Sequence, residues 1–242
     1  MHEDSVKDQV AFILGTGPGL GLALARCFAG AGMRTAVAAR NGDRLRALLS
    51  GLTEVQDRIH RYACDATDER SVIDTFGRLR DELGPPDLVV YNAGAYQPAA
   101  VVDITVDDFE RCWRVGCLGG FLCGREAARS MLQAGHGTIL FTGATASIRG
   151  GAGFANLAVG KFGLRALSQS MARELGPKNI HVAHVIIDGQ ILSERYAALA
   201  ADRPDDGLLD PDKIAGNYLQ LHKQQRSAWT QELDLRPWVE KF

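Results

Sequence analysis

Long apolar runs, clustered charge of one sign and paired cysteines are all scarce in this chain of 242 residues. No stretch approaches the ~20 consecutive apolar residues that span a bilayer, and the opening MHEDSVKDQ is polar. A cytoplasmic protein with no membrane partner is therefore expected. The formal net charge of -2 offers no basic field to attract nucleic acid. Five cysteines, Cys27, Cys64, Cys112, Cys117 and Cys123, include no Cys-x-x-Cys pair, which argues for reduced thiols in packing roles. His181 and His184 lie in a strand-like run, where positions i and i+3 point to opposite faces. No metal site is expected from them.

What remains is an ordinary globular composition, 46% hydrophobic and 23% charged, which excludes a disordered chain or a fibrous repeat. Its order is more informative. QVAFILG is a short apolar run ending in glycines, and in the following LGLALARCFAGAGM the residues Leu20, Ala23, Leu24, Cys27 and Phe28 recur at helical spacing. The same alternation continues through RTAVAAR, DRLRALLSGL, RIHRYACDAT, RSVIDTFGRLRDELG and DLVVYNAG. Short strands alternating with helices predict an α/β fold, a doubly wound parallel sheet with helices on both faces. The second half predicts a long, glycine-interrupted helix from near Asp108, a strand at GTILFTG, a helix from near Phe154 and a strand at IHVAHVII. Beyond Asp188 only the Asp210-Pro211 helix start and a short final strand ELDL stand out. No linker or repeat divides the chain, so residues 1–242 are read as one domain.

The first turn, LGTGPGLG, carries Gly15, Gly17, Gly19 and Gly21 between a strand and a helix. Glycines there let the backbone approach a pyrophosphate, and the helix N-terminus supplies free N–H donors and a favourable dipole. The Gly-x-Gly-x-x-Gly register does not fit. Gly-x-x-x-Gly-x-Gly does, with Gly15, Gly19 and Gly21.

With this turn, YNAG at 91–94, CDAT at 64–67 and LGPKNIHVAHVIIDG at 175–189, the chain resembles the short-chain dehydrogenase/reductase family over at least residues 8–193. The resemblance implies a single-domain Rossmann-type sheet that binds a nicotinamide dinucleotide. It places Gly15, Gly17, Gly19, Leu20 and Gly21 at the pyrophosphate, Asp65 at the adenine amino group, and Asn92 and Gly94 beside the cofactor. Lys161 falls at the nicotinamide ribose and Gly189 at the nicotinamide end. Ala39 stands at the family's acidic ribose position and is followed by Arg40. Losing a carboxylate and gaining a five-donor fork favours NADP(H) over NAD(H). Against this stand a merely solvated Arg40 and Pro18, which replaces the basic residue many NADP-preferring relatives carry in that turn.

The family's catalytic set is mostly absent. Lys161 remains in GFANLAVGK, but Leu157 occupies the tyrosine position four residues earlier, Ala144 the serine position, and Gly116 in RVGCLGGF the asparagine position. Thr142, Thr145 and Ser147 lie near the serine position, and Tyr96, just after NAG, is placed to overhang the site; each either substitutes or serves turns and packing. Asp188 replaces the proline of the family's Pro-Gly and either supplies an acid/base group or caps the next helix. Two functions are open. One is an NADP(H)-dependent oxidoreductase on a small carbonyl or alcohol with Lys161, Thr145 or Asp188 in the catalytic role; the other is a nucleotide-binding homologue without turnover, a sensor or oligomer partner. Either version is expected to form a homodimer or homotetramer, through glycine-rich helices and a 227–242 tail whose Trp229, Trp238 and Phe242 need cover. Residues 190–210 sit where relatives carry a substrate lid.

Overall fold

A computed structural model describes residues 5–240. Seven strands, β1 (Val10–Leu14), β2 (Arg34–Ala39), β3 (Ile59–Ala63), β4 (Leu88–Tyr91), β5 (Gly137–Thr142), β6 (Ile180–Ile187) and β7 (Glu232–Leu235), form one sheet. The order is β3-β2-β1-β4-β5-β6-β7, with every neighbouring pair parallel. Strands buried on both faces need continuous apolar runs, and VAFIL and LVVY are buried throughout.

Side chains alternate across the sheet and divide the core in two. Ile13, Val37, Val90 and Leu140 face α1 (Leu20–Gly30), α2 (Gly42–Leu49) and α8 (Pro211–His222). Phe12, Leu14, Tyr91 and Phe141 face α3 (Glu69–Leu83), α5 (Gly119–Ala134) and α6 (Ala155–Leu175). α4 (Val106–Trp113) leads into α5, and α7 (Ala197–Ala201) is a single short turn. Side-chain caps start several helices: Asn41, Asp68 and Thr105 accept from Arg44, Arg70 and Asp108 N–H groups. Asp210 accepts from the Asp212 N–H at 2.8 Å with Pro211 in the first helical position, as its sequence predicts.

The expected long, glycine-interrupted helix near Asp108 runs from Val106 to Ala134, with α4 and α5 joined by a π turn over Arg114–Leu118 whose backbone stays helical. Its glycines do not lie open for a second subunit; Gly116, Gly119, Gly120 and Gly124 are buried within the chain. Trp229 also departs from expectation. Its ring stacks on His181 with centroids 4.9 Å apart, and its indole N–H donates to the Gln224 carbonyl. Trp238 is 74% exposed, and Phe242 lies outside the described residues. His181 and His184 bond in different directions, to the Thr230 carbonyl and to Ser147, and no metal-ligand cluster occurs among the described residues.

His222 bridges the Thr138 hydroxyl and the Gln9 side-chain carbonyl, joining α8 to the sheet. Burial pulls its pKa down to about 4, and burial followed by the charge of Lys161 does the same to His184. Both fall below the ordinary unfolded value near 6.5, so the folded state binds fewer protons between those limits. Stability contributed by the two neutral rings is present above pH 6.5 and is lost as pH falls toward 4. Thermal melts should show the midpoint dropping across that window, with a shallower drop in His222→Gln; equal slopes for the two proteins would contradict this.

Candidate functional site

The expected site residues other than Lys161 follow the C-terminal ends of strands, the edge where parallel α/β sheets place their ligand crevices, and Lys161 reaches the end of β5 from α6. After β1, Gly15 has φ +104° and packs against the Ala93 backbone, and a Cβ on Gly21 would lie 2.7 Å from Thr16 Cα. These two glycines are required by the chain's own packing. At Gly17 and Gly19 a Cβ would meet nothing within 4 Å. Gly19 begins α1 without a side-chain cap, and no acidic residue lies in the first turn. Bare backbone, uncapped N–H groups and open space suit a pyrophosphate, so the residues present fit a dinucleotide. Leu20 is buried beneath the turn.

The Asn92 side chain donates to the Gly15 carbonyl at 2.9 Å and thereby ties the loop after β4 to the loop after β1. Asp65, after β3, accepts from the N–H and hydroxyl of Thr67. Burial pushes its pKa up, but the Thr67 bonds and the charges of Arg40 and Arg114 outweigh this and hold it below the ordinary value. Arg40 is exposed at the end of β2.

Lys161, on the second turn of α6, is 5% exposed and donates from Nζ to the Thr142 carbonyl at 2.7 Å. Burial lowers its pKa to about 8. A Cβ on Gly94 would approach Nζ to 3.9 Å, which brings the β4 loop and α6 together. Around this cation, Leu157 and Ala144 are half-buried and present no polar group. Gly116 lies in the π turn, where a Cβ would be 3.2 Å from the Gly160 Cα. Any side chain there would press its Cβ against the α6 backbone, which would have to give by a few tenths of an ångström.

Asp188 does not cap a helix. Its buried carboxylate accepts from the Thr145 hydroxyl at 2.5 Å and faces Arg236 at 3.2 Å and Arg149 at 3.9 Å. Thr145 and Asp188 are thus brought together, but both are already engaged. Tyr96 donates to the Gly153 carbonyl and stacks on Phe154, and the Ser147 hydroxyl accepts from the Ala144 N–H. Gly189 has φ +146° and lies under Pro237. The segment 190–210 leaves and returns at one point, where Ile191 bridges Leu209.

The sequence model of the short chain dehydrogenases matches residues 9–202. The chain belongs to this family. It is 28% identical over 229 residues to sorbitol-6-phosphate 2-dehydrogenase of Escherichia coli (strain K12), covering 93% of this chain and 88% of that protein. It is 32% identical over 185 residues to a 3-oxoacyl-[acyl-carrier-protein] reductase of Rattus norvegicus, 76% of each chain. A short-chain dehydrogenase structure from Rhodopseudomonas palustris is 39% identical, with a TM-score of 0.82 over 96% of this chain and all of that one.

Several residues that shape this short-chain dehydrogenase site escape sequence reading. Tyr91, where the family resemblance implies asparagine, donates from its buried hydroxyl to the Val115 carbonyl of the π turn. The departure from Asn-Asn-Ala-Gly was the available signal, but its partner was not. Arg149, Arg236 and Arg114 carried no signal at all, because each meets its acid or carbonyl through a contact distant in sequence. Returning the family's asparagine should fail sterically: Gly116→Asn is expected to lower unfolding stability by about 1–3 kcal/mol, as overpacking does, measurable by urea denaturation. Unchanged stability would mean that the α6 backbone yields.

Proposed function

We propose that this chain binds NADP(H) in the cleft formed after β1, β2, β3 and β4, and that it has lost the proton-transfer half of ordinary carbonyl reduction. The observation that carries this reading is the contrast between the two ends of the cleft. The Gly15–Gly21 turn, Arg40, Asp65, Asn92 and Gly94 form an intact nucleotide cradle. Lys161 and Gly189 complete it at the nicotinamide end, where Leu157, Ala144 and Gly116 offer no acid.

The bound nicotinamide supplies or accepts hydride at a small carbonyl or alcohol substrate. The chain's task at that atom is to polarise the oxygen and move a proton. A positioned general acid contributes about 10²–10⁴ in rate, and an oxyanion donor about 10²–10³. Leucine and alanine supply neither. Lys161 is left to bind ribose hydroxyls, with its ammonium anchored on Thr142. A second reading has one observation in its favour: Thr145 and Asp188 meet as a hydroxyl–carboxylate pair beside the nicotinamide end, through which a proton taken up by the carboxylate would be relayed by the hydroxyl to a substrate oxygen. The 190–210 segment is assigned as the substrate lid, held at its tip by the Trp238 indole donating to the Asp205 carbonyl.

Binding and chemistry are separable by experiment. NADPH should bind the purified protein by fluorescence titration, while NADPH oxidation over a carbonyl panel stays at background and rises at least about 100-fold in Ala144→Ser/Leu157→Tyr, the lower bound for a general acid. Turnover by the unaltered protein would overturn the loss of chemistry, and Thr145→Val or Asp188→Asn should then abolish it. No binding would overturn the nucleotide reading.

A homo-oligomer follows from a different face. Phe109, Trp113, Phe121, Val159 and Phe162 are exposed together on α4, α5 and α6, an apolar surface that a monomer would leave wet. Light scattering at micromolar concentration should give a dimer or tetramer, and a monomer would rule it out.

A further inference from the structure

The nucleotide reading leaves the 2′-phosphate with a single cation, because Pro18 occupies the turn position where relatives carry a second. A second guanidinium nevertheless reaches that end of the cleft. Arg40 and Arg114 line one cavity of about 260 Å³ together with Thr67, Arg111, Asp107 and Glu110. Arg40 arrives on the end of β2, whereas Arg114 arrives on the π turn between α4 and α5. The Arg114 guanidinium is steadied by the Thr67 carbonyl at 3.3 Å and by Glu110 at 3.6 Å. Both contacts are long, and Glu110 is exposed, so much of its donor capacity is free for another acceptor. Arg111 is a poorer candidate, since Asp108 holds it at 2.7 Å. Arg40 and Arg114 both act on the Asp65 carboxylate, which stands at the expected adenine position. Two guanidiniums around one adenosine site suit a group carrying close to two negative charges.

We propose that Arg114 is a specificity-determining residue that holds the 2′-phosphate of NADP(H) jointly with Arg40. This rests on the nucleotide reading above and adds the residue that replaces the basic side chain missing from the turn. The π turn thereby has a second consequence. By admitting an extra residue between α4 and α5, it sets the register in which Arg114 meets the cavity while Gly116 meets Gly160.

The test is a set of affinities rather than a rate. NADPH, NADH, 2′,5′-ADP and 5′-AMP are titrated by calorimetry into the unaltered protein and into Arg114→Gln. A charge-assisted hydrogen bond contributes enough that the variant should bind NADPH and 2′,5′-ADP about tenfold more weakly or worse, while NADH and 5′-AMP change less than about twofold. Equal weakening of all four, or no change in any, overturns the proposal and leaves Arg114 as a brace for Thr67. NADH binding by the variant also shows that it is folded. If the unaltered protein binds none of the four, the nucleotide reading itself falls, and this inference with it.

Discussion

The Lys161 ammonium lies almost out of water and has the Thr142 carbonyl as its hydrogen-bond acceptor, with no ion-pair partner among the described residues. Burying an unpaired cation is costly, so its surroundings are constrained. Its pKa is drawn down by burial to about 8. The end of β5 must present a carbonyl to α6. His184, one strand away, must stay neutral: burial and the lysine charge both oppose its protonation. Its Nε2 meets the Ser147 hydroxyl, whose oxygen also accepts from the Ala144 N–H. The loop at Ala144 is thus tied through Ser147 to His184 on β6.

The departures from the family's motifs are accommodated in pairs. Tyr91 replaces an asparagine, and its hydroxyl sits against Gly119, where any side chain would collide with it. The same hydroxyl satisfies the Val115 carbonyl in the π turn. Gly116 faces Gly160, so two helices approach backbone to backbone at the position where the resemblance implies a polar side chain. Close packing leaves little tolerance for added atoms. At Tyr91 and Gly116 the chain is closely packed rather than left with a cavity.

Much of the fold was legible because parallel strands buried on both sides must be continuous apolar runs, and their helices must carry one apolar face. VAFIL, LVVY and IHVAHVII could be little else, and the Asp210-Pro211 start of α8 follows from local capping chemistry. The glycine turn was equally local: four glycines between a strand and a helix. The irregular features were not legible. The π turn between α4 and α5 receives the Tyr91 hydroxyl, which reaches the Val115 carbonyl from the centre of the sheet. The cover over Trp229 is His181, from a strand nearly fifty residues earlier.

What the sequence alone determined is the alternation of elements, the four-glycine turn after β1 and the apolar identities of Gly116, Ala144 and Leu157. Those depend on residue identity and on spacing within one element. Only the tertiary structure decided that Asp188 faces two arginines and Thr145 instead of capping a helix, that the glycines of α5 are filled from within, and that Arg114 shares a cavity with Arg40. Each joins side chains from strands or turns far apart in the chain, and direction at such a junction is set by packing against the sheet, which no local pattern encodes.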